Sequence, residues 1–515
     1  MKNVLEFLER SAKRYPGKMA VSDENECCTY DELRKDARRI GSKLAEYSEP
    51  RNPIAVLAKK QVKTVKTFMG IVYAGCFYVY IDPSQPQSRL EKILETLDGR
   101  ILIVDDELQE MAACLKGTER MAVLCLETLF QDGVERTELL SKIQKQALDV
   151  DPLYAIFTSG STGVPKGVLV GHRSVIDFVN HFVNLFHITE QDVIGNQAPF
   201  DFDVSVKDLY SSLCVGASLE LIPKKFFSIP TALLDYLCDR KITTAIWAVS
   251  ALCMITSLNG FSYRIPEFLN KILFSGEVMP VKHLKKWQEA LPNAMFVNLY
   301  GPTEITCNCT YYVVDRIFEP GERIPIGNAF PNEKVFLLDT DNKEVTQTNQ
   351  IGEVCVAGTA LALGYYNDPV KTQEVFVQNP LNNHFMEIIY RTGDLAHYGA
   401  DGLLYFDTRK DFQIKHMGHR IELGEIETAM GRIDGVERVC CVFDEKKSKI
   451  IAYYEGNADK KKIAEGLAQW LPRYMYPNRY MQTEKFPLTK NGKIDREVLK
   501  KQYESATVHG SSAKV

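Results

Sequence analysis

The sequence predicts an α/β protein. A large N-terminal domain of layered α/β subdomains and a β-rich subdomain is followed by a small, mobile α+β C-terminal domain. Three observations predict this: helical patterns alternate with short β-branched strands to about residue 340, strands with glycine turns follow over 351–405, and a small α+β pattern begins near 411. A chain of 515 residues is too long for one core. We expect domains over 1–410 and 411–500, then a disordered tail over 501–515.

The alternation is clearest near the N-terminus, where the helical pattern TYDELRKDARRIGSKLAEY precedes the strand PIAVLA, and QVKTVKTFMGIVYAG precedes YVYID. Such alternation favours largely parallel sheets. The β-rich part contains the strands GEVCVAG and DGLLYFD. The last domain contains the helix LGEIETAMGRI, a predicted hairpin of RVCCVF and KIIAYY, and the helix KKKIAEGLAQWL.

Composition excludes several classes of partner. The net charge is −5 without long charged runs, so we expect no nucleic acid and no membrane surface as the main partner. No apolar run approaches 18 residues, so no membrane insertion is expected, and the amphipathic N-terminus does not resemble a signal peptide. Thirteen cysteines without a C-x-x-C pair indicate reduced thiols. We therefore expect a cytoplasmic protein, which we take to be monomeric.

The stretch TSGSTGVPKG, residues 158–167, has the composition of a phosphate-binding loop. A standard P-loop reads G-x-x-x-x-G-K-[ST] and continues into a helix. Here Pro165 replaces the second glycine, Gly167 replaces the Mg²⁺-binding hydroxyl, and a strand pattern follows. We predict a loop between two strands, whose small residues let backbone N–H groups approach an anion and whose Lys166 adds a charge. The alternative is an ordinary Gly/Ser surface turn.

Three further motifs are compatible with a nucleotide site. In NLYGPTE, residues 298–304, Tyr300 could stack on a base, Thr303 could bind phosphate and Glu304 could hold Mg²⁺, although the motif also fits a helix N-cap turn with Thr303 as the cap. In YRTGDL, residues 390–395, Asp394 could accept hydrogen bonds from ribose hydroxyls. In PLTKNGKIDR, Lys493 lies in a glycine turn, where a lysine is often simply solvated.

These motifs, together with GYYNDP, DFQIKHMGHRIELGEIE and LPRYMYP, occur in the order typical of the adenylation-domain superfamily, which the chain resembles over nearly its whole length. That superfamily includes acyl-CoA ligases, luciferases and the amino-acid-activating domains of nonribosomal peptide synthetases. NQAPFDFDVSVKDLY and LFSGEVMP look most like the stand-alone D-alanine–carrier-protein ligases. No L-G-G-x-S carrier motif follows residue 497, so we expect a phosphopantetheinylated carrier protein in trans.

The resemblance implies two half-reactions with ATP and Mg²⁺ as cofactors. A carboxylate attacks the α-phosphate of Mg·ATP to give an acyl-adenylate and pyrophosphate, and a phosphopantetheine thiol then takes the acyl group and releases AMP. Cations and oriented donors must hold the two repelling anions together. The implied phosphate-binding residues are Thr158, Ser159, Gly160, Ser161, Thr162, Gly163 and Lys166; those for adenosine, α-phosphate and metal are Asn298, Tyr300, Gly301, Thr303, Glu304, Asp394 and Arg409; and Lys493 is the implied catalytic lysine.

The hinge departs from the superfamily pattern at one position. Thr408 stands where a glycine usually precedes Arg409, whereas Asp411 is retained. We expect a hinge at Asp411 with reduced backbone freedom and a large rotation of residues 412–515 between the half-reactions. The catalytic lysine would face the site during adenylation, and the turn around residues 416–418 would face it during thiol transfer.

Asp203 is the main argument that the substrate is an amino acid. The resemblance places it where amino-acid-activating members pair a carboxylate with the substrate's α-ammonium, and a buried unpaired carboxylate would be costly. The alternative is a solvated aspartate in the turn DFD. The other implied pocket residues are Val204, Lys207, Ala248, Leu273, Ser275, Leu299, Cys307 and Asn308; the register of Ala248 stays open because IWAVSAL lacks the usual proline.

Size and charge of the pocket favour different substrates. Leu273 and Leu299 would narrow it, and Ser275 is nearly isosteric with the cysteine usual in D-alanine ligases, which favours a small amino acid such as alanine or serine. Lys207 favours an acidic amino acid instead, because a buried ammonium needs a partner. Lys207 could also pair with Asp208 or snorkel out of the pocket. A small amino acid is our expectation.

Two other functions stay open. An acyl- or aryl-CoA ligase would use free CoA, and Asp203 and the likeness to D-alanine ligases count against it. An inactive nucleotide-binding homologue would lack Lys493, Glu304 or Asp394, and all three are present. The pathway, teichoic-acid D-alanylation or peptide natural-product assembly, also stays open.

Overall fold

The computed structural model describes residues 1–131, 134–160, 164–445, 447–488 and 494–509, with side chains as far as residue 504. Its strands are β1 Met19–Ser22, β2 Cys27–Thr29, β3 Pro53–Leu57, β4 Phe77–Ile81, β5 Ile101–Val104, β6 Ala122–Cys125, β7 Pro152–Thr158, β8 Lys166–Gly171, β9 Val193–Asn196, β10 Ser218–Leu221, β11 Thr244–Ala248, β12 Lys271–Ser275, β13 Met295–Tyr300, β14 Thr310–Val313, β15 Asn328–Ala329, β16 Glu333–Leu338, β17 Gly352–Gly358, β18 Gly364–Tyr365, β19 Phe376–Gln378, β20 Ile388–Tyr398, β21 Leu404–Arg409, β22 Gln413–His416, β23 His419–Glu422, β24 Val436–Asp444, β25 Lys449–Gly456 and β26 Arg479–Gln482.

The helices are α1 Leu5–Arg14, α2 Tyr30–Leu44, α3 Val62–Tyr73, α4 Gln87–Thr96, α5 Gln109–Cys114, α6 Leu126–Gln131, α7 Thr137–Gln146, α8 His172–Leu185, α9 Val204–Val215, α10 Pro230–Asp239, α11 Val249–Ser257, α12 Val281–Ala290, α13 Pro369–Val375, α14 Leu423–Met430, α15 Lys460–Leu467 and α16 Arg496–His509. Short 3₁₀ turns occur at Asp106–Leu108, Thr118–Arg120, Lys224–Ser228, Gly260–Ser262, Thr303–Ile305 and Arg473–Met475. Within the described ranges every helix is too short or too polar to span a bilayer.

Two large sheets with parallel centres confirm the predicted α/β class. The nine-stranded sheet runs β15-β14-β13-β12-β11-β9-β10-β1-β2 and is parallel from β13 to β1. The seven-stranded sheet runs β18-β8-β7-β4-β3-β5-β6 and is parallel from β7 to β6. Strands β3, β4 and β11 are buried along their whole length, as expected for parallel strands with helices on both faces. Helices α1, α2, α3, α8 and α9 pack with strands of both sheets in the main core.

The predicted β-rich part is an antiparallel sheet in the order β16-β17-β20-β19, with β21 paired to β20. Near the C-terminus, β24 and β25 form the expected antiparallel hairpin, and β26 adds to β25 in parallel. Strands β22 and β23 form a second hairpin, whose turn residues Met417 and Gly418 have positive φ angles.

The described residues group into two compact units. The first comprises Met1–Pro83, Leu94–Phe157 and Lys166–Lys410, and the second comprises Ser84–Ile93, Thr158–Pro165 and Asp411–Val515. The grouping therefore changes at Asp411, where we predict the hinge, and the rotation itself stays a prediction.

The second unit also contains two short segments that the sequence did not assign to it. Arg89 and Glu425, both buried in this unit, form an ion pair with Nη1 and Oε1 3.0 Å apart. The Ser159 hydroxyl donates a hydrogen bond to the backbone oxygen of Arg420 at 2.8 Å. These two contacts help to hold the short segments in the unit.

The predicted disordered tail is wrong for residues 501–509, because α16 continues to His509. Leu499 and Tyr503, one helical turn apart, are buried in a cluster with residues of β24 and β25. The Tyr453 hydroxyl also donates a hydrogen bond to the Leu499 carbonyl oxygen at 3.1 Å. Packing against the hairpin therefore stabilises a helix that composition alone did not indicate. Residues 510–515 lie outside the described residues.

Replacing Tyr503 with alanine should loosen this unit, because a buried ring is lost from the α16 contact with the hairpin. We expect a loss of about 3 kcal/mol in the stability of the unit, measured in the full chain by hydrogen exchange of the β24 and β25 amides. Lys501→Ala, on the exposed side of the same helix, is the control. Equal protection in the two variants would show that α16 is not packed on the hairpin.

Candidate functional site

Most of the predicted site residues outside the glycine-rich loop lie in the first unit, and several stand at one edge of the nine-stranded sheet. The neighbouring parallel strands β9, β11, β12 and β13 end at Asn196, Ala248, Ser275 and Tyr300. Ala248 is the register partner of Ser275, so these two residues lie next to each other at the ends of β11 and β12. Open α/β sheets bind ligands at the carboxyl ends of their strands, so this edge is the candidate site.

Glu304 is the buried carboxylate of this edge. It is completely buried in the 3₁₀ turn that follows β13. The Tyr365 hydroxyl donates to Glu304 Oε1 at 2.6 Å, and Lys166 Nζ lies 3.7 Å from the same oxygen. Lys166 Nζ also donates to the Tyr365 hydroxyl at 3.3 Å and lies 4.9 Å from the ring centre. A buried carboxylate is costly unless it is paired and hydrogen-bonded, and these two residues meet both needs.

The residues predicted for adenosine contact one another. The Tyr300 hydroxyl donates to Asp394 Oδ2 at 2.6 Å, and the Arg409 guanidinium pairs with Asp394 Oδ1. Asp394 and Arg409 are register partners in β20 and β21. Burial and the neighbouring Asp394 carboxylate raise the pKa of Tyr300 well above its usual range, so this hydroxyl stays a donor.

Two further predicted residues of the NLYGPTE motif have structural contacts. The Asn298 side-chain amide donates to the Pro325 carbonyl oxygen at 2.8 Å. A Cβ on Gly301 would lie 2.5 Å from the Cα of Asn308, so only glycine fits at this close approach. Thr303 is buried at the start of the 3₁₀ turn.

The start of the glycine-rich loop belongs to the second unit. The Thr158 hydroxyl is buried and has no hydrogen-bond partner among the described residues, which leaves a donor for an anion. The Ser159 hydroxyl is already bonded to a backbone oxygen, as described above. A Cβ on Gly160 would lie 2.2 Å from the Val164 carbonyl oxygen. Ser161, Thr162, Gly163 and Lys493 lie outside the described residues.

Lys207 is the buried cation of the predicted amino-acid pocket. Its Nζ donates to Asn308 Oδ1 at 2.8 Å and lies 3.5 Å from Ser275 Oγ. The side chain is completely buried, so the alternative that it snorkels out of the pocket is wrong. Burial lowers the pKa of Lys207, against the raising effect of nearby groups that include Asp203 and Asp208.

The alternative pairing of Lys207 with Asp208 is also wrong as a direct contact. Asp208 Oδ2 accepts a hydrogen bond from Asn196 Nδ2 at 2.6 Å, and Lys207 Nζ makes no ion pair within the described part of the chain. The physical reason is that adjacent residues on a helix point in different directions.

Asp203 is the residue before the first turn of α9 and is partly exposed, and its side chain makes no capping hydrogen bond there. The Cys307 thiol donates to the Asp203 carbonyl oxygen at 3.1 Å. Burial, with a further contribution from Asp203, raises the pKa of Cys307 well above its usual range. Leu273 and Leu299 are buried in the main core, and Val204 packs against that core.

Three residues of this edge were not identified from the sequence. Tyr365 stands in the motif GYYNDP, which carried the resemblance without a role for any residue. Lys60 Nζ donates to Asn196 Oδ1 at 3.0 Å, and burial lowers the pKa of this lysine to about 7. Thr306 has a left-handed φ of 52°. No sequence signal identified Lys60 or Thr306, because neither belongs to a motif and their partners are distant in sequence.

Comparisons with known proteins identify the family of the chain. The AMP-binding enzyme family matches residues 8–366. A mycosubtilin synthase polypeptide of Bacillus subtilis is 34% identical over 98% of this chain, which spans only 19% of that protein. Zwittermicin A synthase ZmaJ of Bacillus cereus is 31% identical over 96% of this chain and 94% of its own length. The solved structure of holo-PA1221, an NRPS protein containing adenylation and PCP domains, is 25% identical, with a TM-score of 0.80 over 97% of this chain and 84% of that one.

The chain belongs to the AMP-binding enzyme family, and the predicted membership of the adenylation-domain superfamily is confirmed. It is therefore an adenylating enzyme of the ligase class, and such enzymes use ATP. The chain spans about a fifth of the length of the mycosubtilin synthase polypeptide.

Tyr365→Phe should destabilise the first unit, because a completely buried Glu304 carboxylate loses its hydroxyl donor. A hydrogen bond to a charged group is worth about 2 kcal/mol. Urea unfolding followed by the fluorescence of the buried Trp247 and Trp287 measures the loss. The control is Tyr398→Phe, whose hydroxyl makes no hydrogen bond within the described residues. A loss no larger than in the control would contradict the assigned role of Tyr365.

Proposed function

We propose that the enzyme activates an amino acid as aminoacyl-AMP and transfers it to the phosphopantetheine thiol of a separate carrier protein. It would be a D-alanine–carrier ligase-like enzyme or a stand-alone nonribosomal peptide adenylation enzyme. The observation that carries the proposal is Asp203, a partly exposed carboxylate just before α9 that acts electrostatically on the completely buried Lys207. All thirteen cysteines are free thiols, which supports a cytoplasmic enzyme, and we propose that it acts as a monomer.

In the first half-reaction, an oxygen of the substrate carboxylate bonds to the α-phosphorus of ATP, and the bond from that phosphorus to the pyrophosphate oxygen breaks. Both reactants are anions, so the site must supply cations and oriented donors. Lys166 and Thr158 are proposed to bind the phosphates, and Lys493 is proposed to bridge the reacting groups. Tyr300 is proposed to stack on adenine, while Asp394 and Arg409 bind the ribose hydroxyls.

Glu304 is proposed to hold Mg²⁺ together with the phosphates. The described residues contain no group of three or more metal-ligating side chains. A single carboxylate fits Mg²⁺, which takes most of its ligands from substrate phosphates and water. When bound, the ion would neutralise part of the triphosphate charge. Glu304 would have to exchange its contact with Lys166 or Tyr365 for that role.

In the second half-reaction, the carrier thiol sulfur bonds to the acyl carbon, the acyl–phosphate oxygen bond breaks, and AMP leaves. The proposed carrier is separate from this chain, and residues 411–500 are proposed to rotate at Asp411 to admit it. Free CoA is the alternative thiol, and an inactive homologue is the second alternative. Offering the enzyme that holds the acyl-adenylate either a phosphopantetheinylated carrier or free CoA discriminates between a carrier-protein ligase and a CoA ligase. Pyrophosphate exchange tests whether the protein is an inactive homologue.

A small amino acid is the proposed substrate. Lys207 is completely buried and its ammonium has acceptors within the chain, so it needs no substrate carboxylate as its partner. Its side chain lies against Ser275 and Asn308, which supports a short pocket. An acidic amino acid would have to take the place of Asn308 at the ammonium.

Asp203→Ala should abolish ATP–pyrophosphate exchange with the amino acid while ATP still binds. The bound amino acid would cover the Asp203 carboxylate, and loss of one partner of a charge pair buried in this way typically costs about 3–5 kcal/mol, equivalent to at least a hundredfold fall in kcat/KM. The assay compares all common L- and D-amino acids, with ATP affinity measured by calorimetry. Asp201→Ala, in the same turn but outside the implied pocket, is the matched control. Unchanged exchange in the Asp203 variant would favour the CoA ligase.

Lys207→Met keeps most of the length of the side chain and removes its amino group. If the substrate is small, we expect D-Ala, L-Ala or Ser to remain preferred, because the methionine still fills the end of the pocket. Exchange rates with these three and with Asp and Glu, in both proteins, test the point. An acidic preference in the wild type that the variant loses would overturn the small-substrate proposal.

A further inference from the structure

A strained turn connects the two halves of the site. Thr306 (φ 52°, ψ 65°) and Cys307 (φ 78°) are consecutive non-glycine residues in the left-handed region. This conformation is unusual for any residue with a side chain, and more so for a β-branched one such as Thr306. Such strain persists only where surrounding contacts hold it, and it is concentrated at functional sites.

Contacts from two directions hold the turn. The Thr306 hydroxyl donates to the Ala360 carbonyl oxygen at 2.7 Å, and the Ala362 N–H donates to the Glu304 carbonyl oxygen at 2.9 Å. On the other side the turn folds back onto β13, where the Cys309 N–H donates to the Tyr300 carbonyl oxygen at 2.9 Å. Thr306 therefore joins the turn to the segment that also holds the backbone of Glu304.

The two ends of the turn belong to different parts of the site. Glu304, at the first end, carries the buried carboxylate beside Lys166. Asn308, at the other end, accepts the hydrogen bond from Lys207, and Cys307 donates to the carbonyl oxygen of Asp203. Only three residues separate Glu304 from Asn308. Because contacts on both sides hold the strained pair, a shift at one end of the turn is passed on to the other end.

We propose that Thr306 is a positioning residue that couples the amino-acid pocket to Glu304, so that each substrate strengthens the binding of the other. This inference rests on the proposed function. An amino acid that contacts Asp203 and Lys207 fixes the Asn308 end, and the held turn then fixes Glu304 for Mg·ATP. Linkage requires the effect to be reciprocal: the factor by which the amino acid tightens ATP equals the factor by which ATP tightens the amino acid.

The test measures this factor directly. The probe is the Mg²⁺ complex of α,β-methylene-ATP, which cannot release pyrophosphate, and calorimetry gives its Kd with and without the amino acid that supports the fastest exchange. We expect at least about fivefold tighter binding with the amino acid in the wild type. Thr306→Val, which keeps the shape and loses the hydrogen bond to Ala360, should reduce the factor below about twofold. Thr306→Ser, which keeps the hydroxyl, should retain most of it.

Each outcome has a distinct meaning. If no amino acid supports exchange in the wild type, the proposed function fails. If exchange occurs but the wild-type factor is one, or if Thr306→Val keeps the full factor, the coupling role of Thr306 is overturned. Should Thr306→Val not fold, Lys207→Met removes the donor at the other end of the turn and should reduce the same factor. An undiminished factor in that variant would equally overturn the proposal.

Discussion

The Glu304 carboxylate has no access to solvent, so the chain has to bring its partners from distant segments. Lys166 comes from the start of β8, and Tyr365 comes from β18, which pairs with β8 through Gly364–Leu169 and Tyr365–Val168. The short strand β18 thus delivers a hydroxyl next to a lysine that is 199 positions away in sequence. Just before β18, the backbone of Ala360 and Ala362 forms hydrogen bonds with Thr306 and Glu304. The buried Glu304 carboxylate therefore lies where β18, the start of β8 and the turn after β13 come into contact.

The layers could be predicted from the sequence because their signals are local. Buried β-branched runs and amphipathic helices alternate over the first two-thirds of the chain, and periodicity within one element is enough to identify each of them. The prediction of a disordered tail was wrong over residues 501–509 because the signal for that helix is not local. Residues after 500 carry little apolar periodicity, and their helix depends on Tyr503 reaching a hairpin that lies far earlier in the chain. The Tyr453–Leu499 bond, which spans 46 positions, illustrates that distance.

The candidate site likewise contains residues that the sequence could predict and contacts that it could not. Motifs indicated Glu304, Asp394 and the glycine-rich loop as candidates, since each lies in a short run of unusual residues. They did not identify the partner of Lys207, because Asn308 lies 101 positions later and meets it only through the folding of α9 against the strand edge. A substrate carboxylate, Asp208 and solvent were the partners that the sequence suggested, and a neutral amide was not among them. A buried ammonium takes whichever acceptor the packing brings within reach.

The buried cysteines have a consequence for an enzyme that forms a mixed anhydride. An acyl-adenylate reacts with thiolates, and thirteen cysteines share the molecule with the proposed intermediate. Cys307, in the proposed pocket, is kept in its protonated form by burial, and its S–H is engaged with the Asp203 carbonyl oxygen. Burial likewise raises the pKa of Cys355 and Cys440 to about 12. Burial therefore disfavours the thiolate form of these three cysteines, which is the form that a mixed anhydride would acylate.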